Sequence, residues 1–494
     1  MLRCALPAIG LALAFCGAVA WADNAALKET LAIQEAMQSA IQEAEPSIAC
    51  ILISRSEDYV KLGETPQPDG SGKLGRFLLK RAQESVDSPD LNEREQLKKL
   101  DMEHAGYVPE VFGSGVVIDE SGLVLTAEHV VRDATKIFVR LPGHKGCYAD
   151  IHAADPRSDL AVLRLIEPPP KLKAIKLGDG GKVKKGQFII SLANPFAAGF
   201  RDGSPSASWG IISNIRRRPA GPVVEQERVK PLYMHGVLLQ TDARLNLGCS
   251  GGALLDLKGE LVGLTTALAA LTGGETAGGF ALPIDAGIRR ILEVLKKGEE
   301  VEYGFLGVQL GQLGAGGLPR GLQIQGVAPL SPAAARGLEA RDVILSVNGV
   351  PINDSDDLFV AVGTQLAGSE AKLDILRGGV PRTITVTLAK FNVPGRFIAS
   401  RRPAFVRGLR VDYLSIYLQN LHPTSYPRGV SHGVVIREVQ PDSAGSAALL
   451  KANDIVTHVK GEPVNTPAEF YKKLQAATGT VDITLGGSHT VRLQ

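Results

Sequence analysis

"LNLGCSGGALLD", residues Leu245 to Asp256, sets a cysteine directly before a serine and two glycines directly after it. Both side chains are candidate nucleophiles. The glycines free the backbone to aim its N–H groups at whatever forms beside them. Neither nucleophile suffices alone. A hydroxyl is unreactive at neutral pH without a base in hydrogen-bond reach, and that base needs a carboxylate to hold its tautomer. The runs "GVLLQTD" before and "GELVGLTTAL" after the stretch have the composition of short β-strands.

Upstream, "GSGVVIDESGLVLTAEHVVRDA" reads as two strands around a Glu120-Ser121-Gly122 turn, with His129 at the end of the second. In "DPRSDLAVLRL", Asp159 opens an apolar strand. Taken singly, a His near a strand end is commonly structural and an Asp before a strand commonly caps a turn. The order His129, Asp159, Ser250 supplies base, orienting acid and nucleophile together.

The whole chain has 494 residues, which suggests about three domains at roughly 150 residues each. Hydrophobic residues make up 44% and charged residues 21%, an ordinary globular composition. The 54 Lys+Arg against 52 Asp+Glu exert no global pull toward nucleic acid or an anionic membrane. The basic run "IRRRP", Ile215 to Pro219, reads as a solvated loop or a local binding patch. Residues 1–22 combine Arg3, an apolar stretch from about Ala5 to Ala20 and small-x-small sites ending at Ala20 and Ala22. They read as a cleaved signal peptide, with an uncleaved anchor as the alternative, and no other segment is apolar enough to cross a bilayer. Cleavage leaves Cys50, Cys147 and Cys249, too few for a disulfide framework, although a Cys50–Cys147 bond is open.

The second half contains a duplication. "GLQIQGVAPLSPAAARGLEARDVILSVNGVPIN" from Gly321 aligns without gaps with "GVVIREVQPDSAGSAALLKANDIVTHVKGEPVN" from Gly433. Asp342 meets Asp454, Gly349 meets Gly461, and Asn353 meets Asn465. Each copy reads as strand, small-residue helix, strand, hairpin, longer helix, strand, and resembles a PDZ domain. The resemblance implies that "YGFLGV" carries a carboxylate-binding loop at Phe305, Leu306, Gly307 and Val308, where backbone N–H groups would receive a peptide C-terminus. The second copy's equivalent is "RGLRV", read with Arg410 opposite Gly307, which places its peptide binding in doubt.

"TAEHVV", "DPRSDLAVLRL", "TDARLNLGCSGGALLD" and "GFALPID", followed by two PDZ-like copies, together resemble the HtrA/Deg serine proteases. The resemblance implies a mostly β fold: a chymotrypsin-like double β-barrel of two six-stranded barrels, then two α+β PDZ-like domains. It implies His129 as general base, Asp159 as its orienting acid, Ser250 as nucleophile, and the N–H groups of Gly248 and Ser250 as the oxyanion hole. The register, with the nucleophile immediately before Gly-Gly, selects Ser250 over Cys249, which stands where the family usually has asparagine. Cys249 is then a small buried hydrophobe or an oxidisable thiol. Residues near Leu264 to Ala267 are expected to line the substrate cleft.

The expected organisation is a signal peptide at 1–22, a protease domain at 23–300 with an insertion at about 54–110, and PDZ domains at 301–392 and 400–494. The insertion is a candidate regulatory loop, and "RRRPAGPVVEQERVKP" a candidate part of an activation domain. The expected activity is exported, ATP-independent, PDZ-regulated serine endopeptidase action on unfolded or damaged proteins, cut after small aliphatic residues. C-terminal peptides would bind at the first PDZ domain, and the chain would form a homotrimer or larger homo-oligomer in the periplasm. No metal, cofactor, nucleic acid or membrane span in the mature chain is expected. The alternative is a proteolytically silent chaperone or peptide-binding scaffold.

Overall fold

The computed structural model describes residues 8–56, 102–103, 109, 111–143, 146–217, 231–266, 279–311, 320–394, 397–486 and 489–493, with side chains of the first helix from Ala26 onward. Most of the insertion at 54–110, residues 218–230 of the basic loop and Ala267 lie outside them. The chain divides into two compact units. Residues 1–150, 163–219 and 238–285 form one, and residues 151–162, 220–237 and 286–494 the other.

A helix, α1 (Ala8–Ala44), leads into β1 (Ile48–Ser54). The first barrel continues with β2 (Val111–Asp119), β3 (Leu123–Ala127), helix α2 (Glu128–Val131), β4 (Lys136–Arg140), β5 (Cys147–Asp155) and β6 (Leu160–Leu165). The β2–β3 turn is the expected one. Gly122 takes φ 99°, and the Ser121 N–H donates to the Asp119 carboxylate at 2.8 Å. Strand order is β5-β4-β1-β2-β3-β6, and β5 also pairs β6, which closes the ring.

A second barrel closes in the order β10-β11-β12-β9-β8-β7, from β7 (Phe188–Ala193), β8 (Ser206–Arg217), β9 (Leu238–Thr241), β10 (Ala253–Leu255), β11 (Leu261–Thr266) and β12 (Gly279–Pro283). Its interior is packed by Ile189, Ile212, Leu239, Leu254, Val262 and Ala281. Burial of such side chains, at about 25 cal/mol per Å² of apolar surface, is what stabilises a barrel without disulfides. The three described cysteines are buried and free, so Cys50 and Cys147 are not bonded.

Helix α3 (Ala286–Lys296) opens the rest of the second unit. The first PDZ-like module comprises β13 (Gly304–Phe305), β14 (Val308–Leu310), β15 (Leu322–Val327), α4 (Pro332–Ala335), β16 (Val343–Val347), β17 (Val350–Pro351), α5 (Ser355–Gly363), β18 (Glu370–Arg377), β19 (Val380–Thr387) and β20 (Ala389–Lys390). A two-residue strand, β21 (Ile398–Ala399), follows and pairs with Ala153–Ala154 of β5. It makes the first sheet seven-stranded, which no sequence signal indicated because two residues carry no periodicity. The second module comprises β22 (Leu409–Tyr413), α6 (Leu414–Leu418), β23 (Val434–Val439), α7 (Ala444–Ala447), β24 (Ile455–Val459), β25 (Glu462–Pro463), α8 (Pro467–Gln475), β26 (Val481–Leu485) and β27 (His489–Leu493).

The duplication extends to local chemistry. Ser331 and Ser443 cap α4 and α7, accepting from the N–H groups of Ala334 and Ser446. Asp354 and Thr466 cap α5 and α8 in the same way. The hairpin at Asn348-Gly349 has φ 52° and 78°, and Lys460-Gly461 repeats it at 52° and 76°, the left-handed pair a type I′ turn requires.

Candidate active site

Ser250 lies in a turn between β9 and β10 and is buried. The turn before it is defined by three observations. The Cys249 N–H donates to the Asn246 carbonyl at 3.0 Å, Gly248 takes φ 93°, and Leu247 does not share a positive φ. A four-residue turn with only its third residue left-handed is type II, and glycine suits that position. The Leu247 carbonyl accepts the Phe196 N–H at 2.7 Å. In a trans peptide C=O and N–H point to opposite sides, so this bond aims the Gly248 N–H away from Phe196.

Strand β2 supports the turn from beneath. Ser114 Oγ donates to the Gly248 carbonyl at 2.7 Å and accepts the Asn194 N–H at 2.8 Å, while the Ser114 N–H donates to the Ser250 carbonyl at 2.9 Å. Thr126 Oγ1 donates to the Ser114 carbonyl, and Thr265 Oγ1 to the Cys249 carbonyl at 2.5 Å. A methyl group at Gly251, which has φ 84°, would lie 2.2 Å from the Ser114 carbonyl oxygen, so no larger residue fits the first of the two glycines. Cys249 points away from bulk water. It is 2% exposed, its Sγ accepts the Asn246 N–H at 3.3 Å, and burial pushes its thiol pKa up. A protonated buried thiol is a poor nucleophile.

His129 stands half-buried on α2, the four-residue helix that follows β3 directly. Glu128 and Arg132 pair at 2.7 Å across that helix. Its neighbour Val130 packs over Gly113, where an added methyl would lie 2.6 Å from Val130 Cγ1 and 3.3 Å from the Ser250 carbonyl oxygen. One glycine of β2 thus lets the His129 helix and the Ser250 turn rest on the same strand. Asp159 is buried, adopts φ 57° and immediately precedes β6, the strand next to β3 in the sheet. The sequence pointed to all three residues, and to Gly248. It did not point to Ser114, Thr126 or Asn194, although "GSG" at Gly113 to Gly115 marks a place where backbones approach closely.

A trypsin-like peptidase domain model matches residues 113–264, and a PDZ domain model matches residues 304–388. The periplasmic pH-dependent serine endoprotease DegQ of Escherichia coli (strain K12) is 32% identical over 76% of this chain and 78% of its own. A probable periplasmic serine endoprotease, DegP-like, of Pseudomonas fluorescens is 32% identical over 87% and 86%. The chain belongs to the HtrA/Deg family of serine proteases. It is a serine endopeptidase with a trypsin-like domain and PDZ domains. The HtrA-type relatives are named as endoproteases, so the silent-scaffold alternative is not favoured.

In the first PDZ module of this HtrA-family chain, Gly307 has φ 85°, and a methyl there would meet Ser331 Cβ at 2.2 Å. Among the described residues strand β14 is an edge strand, the position at which PDZ domains add a ligand strand. The second module corrects the sequence reading. Leu409 pairs with Val439 as Val308 pairs with Val327, and Gly408, with φ 78° and facing Ser443, stands where Gly307 stands. Arg410 is therefore not opposite Gly307. It lies two residues later in β22, bonded to Glu438 at 2.8 Å and to the Pro403 carbonyl. The gapless register of the duplicated blocks does not extend across the intervening insertions, which is why the alignment slipped.

What separates the modules is one helix position. Phe359 on α5 is 45% exposed and stacks on His235 at 5.0 Å between ring centroids. Its counterpart on α8 is Tyr471, whose hydroxyl accepts the Val411 N–H of β22 at 3.0 Å. The outer edge of the second module's strand is thus bonded by its own helix. A cleft of about 540 Å³ in the same unit is lined by Glu300, Lys390, Arg401, Arg410 and Asp412 among others. Lys390 pairs there with Glu300 and Asp412, and Arg410 with Glu438, and the cleft contains none of His129, Asp159 or Ser250.

Proposed function

We propose that peptide-bond cleavage runs through an acyl-enzyme on Ser250, with His129 as general base and then general acid, and Asp159 as the carboxylate that fixes its tautomer. His129 takes the Ser250 proton as Oγ attacks the scissile carbonyl, and returns it to the leaving amine. Water, deprotonated by the same imidazole, then hydrolyses the ester. The N–H groups of Gly248 and Ser250 stabilise the oxyanion, each such donor contributing about 3 kcal/mol. The observation that carries this reading is the type II turn at Asn246–Cys249, which turns the Gly248 N–H away from Phe196 on a braced backbone.

The family resemblance supports unfolded or damaged proteins as substrates, a cut after small aliphatic residues, and a homotrimer or larger assembly. The edge position of β14 among the described residues supports capture of C-terminal peptides at Phe305 to Val308. Periplasmic relatives support an exported protein. Its signal peptide is assigned to 1–22, its protease domain to 23–300 with the insertion at about 54–110, and its PDZ domains to 301–392 and 400–494. Among the described residues no helix is long and apolar enough to cross a membrane. A fluorophosphonate probe followed by peptide mapping tests the mechanism. The expected adduct is on Ser250 and disappears in His129→Ala; an adduct on Cys249, or none in a proteolytically active preparation, contradicts it.

A further inference from the structure

Asp159 ends the segment Asp155-Pro156-Arg157-Ser158-Asp159, and four of these five residues are buried polar groups. Left-handed backbone at a non-glycine residue such as Asp159 costs of order 1 kcal/mol and persists only where its surroundings enforce it. The enforcement is specific. Asp155 Oδ2 accepts the Ser158 N–H at 2.8 Å and the Ser158 hydroxyl at 2.5 Å, which fixes the chain one residue before Asp159. The same Oδ2 accepts a third hydrogen bond, from the Tyr303 hydroxyl.

Tyr303 is fully buried and stands immediately before β13, two residues from the Phe305–Val308 loop. Its ring forms one wall around Arg157, whose guanidinium lies 4.7 Å from the Tyr303 centroid and 4.3 Å from that of Phe391. Phe391 is tied back by its N–H to the Tyr303 carbonyl at 2.7 Å, and the Arg157 carbonyl accepts the Leu232 N–H at 2.7 Å. A phenylalanine would fill the same volume as Tyr303 with no hydroxyl to bury. A buried hydroxyl is retained at a cost of solvation unless its hydrogen bond is made, and here it is made to the carboxylate that holds Ser158.

We propose that Tyr303 is a positioning residue for catalysis: through Asp155 and Ser158 it fixes the peptide that carries Asp159, so the first PDZ module supplies part of the support for the catalytic acid. This inference rests on the reading of Asp159 as the triad acid. Tyr303 touches neither substrate nor the reacting atoms. Its loss leaves binding intact and lets the Asp159 carboxylate drift from the imidazole it orients. A displacement of about 1 Å in such a group costs on the order of a hundredfold in rate. It also lowers the imidazole pKa, because an opposite charge close by favours the protonated ring.

The test uses the full chain and a chromogenic peptide substrate, with Tyr303→Phe, Asp155→Ala, Asp155→Asn and Asp159→Ala. Tyr303→Phe is expected to lower kcat about tenfold to a hundredfold with KM within about twofold, and to move the acidic limb of kcat/KM to lower pH. Asp155→Asn keeps an acceptor for Ser158 and Tyr303, so it is expected to retain much of the kcat that Asp155→Ala loses. If Tyr303→Phe proves too unstable to assay, the Asp155 pair decides alone, and equal losses in both overturn the proposal. A Tyr303→Phe enzyme with wild-type kcat and an unmoved acidic limb overturns it as well. Should Asp159→Ala retain full kcat, the triad reading itself fails; should it lose activity while Tyr303→Phe does not, only the present inference fails.

Discussion

Ser114 Oγ donates to the Gly248 carbonyl at 2.7 Å, joining a strand of the first barrel to the turn that presents Ser250. The same oxygen accepts from the Asn194 N–H, so one hydroxyl satisfies two buried backbone groups. Ser114→Ala leaves both without that partner. We expect a loss of about 1–3 kcal/mol in stability. We also expect kcat to fall roughly tenfold as the Gly248 peptide gains freedom to rotate, because oxyanion donors act only when held in place. Denaturant titration and steady-state kinetics on the same preparation check both, and an unchanged kcat removes Ser114 from the support of the oxyanion site.

Tyr471 predicts a difference between the PDZ modules. Wild-type protein is expected to bind one hydrophobic C-terminal peptide per chain, at the first module. Tyr471→Phe removes the hydroxyl that occupies the Val411 N–H, and a second site per chain is expected in isothermal titration. A wild-type stoichiometry of two contradicts the assignment of Tyr471 as the closing group.

Much of this was legible in the sequence, and for identifiable reasons. The triad candidates lie beside strands whose β-branched and leucine-rich runs are short and bounded by turns, as at Leu123–Ala127 and Leu160–Leu165. The paired glycines at Gly251-Gly252 set the register that singles out Ser250 as the candidate nucleophile. The supports were not legible. Ser114 and Gly248 are 134 positions apart, and Asp155 and Tyr303 are 148 apart, so nothing local in the sequence pairs them. The Gly408 register was missed because the two modules differ in the length of chain between loop and duplicated block.

Burial makes stability depend on alkaline pH. Cys50 is wholly buried, and desolvation pushes its pKa up to about 12, against roughly 8.5 for a free thiol. The native thiol keeps its proton after the unfolded chain has released its own. The native state is therefore favoured in full below about pH 8.5 and loses ground as pH rises toward 12, by at most about 1.4 kcal/mol per unit. In Cys50→Ala the decline of unfolding free energy between about pH 9 and 10.5 should be shallower than in wild type by up to that slope. Comparing slopes removes the cost of the substitution itself, and parallel slopes contradict the prediction.

Lys390 is a buried cation with three carboxylate partners on two segments: Glu300 at 2.8 Å and Glu302 at 3.2 Å on one, and Asp412 at 3.0 Å on the other. Burial opposes its charge, but the three carboxylates outweigh that and hold the ammonium protonated. Without the ammonium, Asp412 and Glu300 keep Arg437 as a partner, at 2.7 and 3.5 Å, and lose one charge-assisted bond each, at a cost of about 1–3 kcal/mol. Lys390→Ala is expected to lower stability by that amount in denaturant titration; a loss below about 1 kcal/mol would mean that water enters the cluster and replaces the ammonium.

The most direct measurement is digestion of a reduced, carboxymethylated protein by the purified chain, with Ser250→Ala and Cys249→Ala beside it. Cleavage is expected to be abolished in Ser250→Ala and to persist in Cys249→Ala. Cleavage that survives Ser250→Ala, or that disappears with Cys249→Ala alone, would contradict Ser250 as the nucleophile.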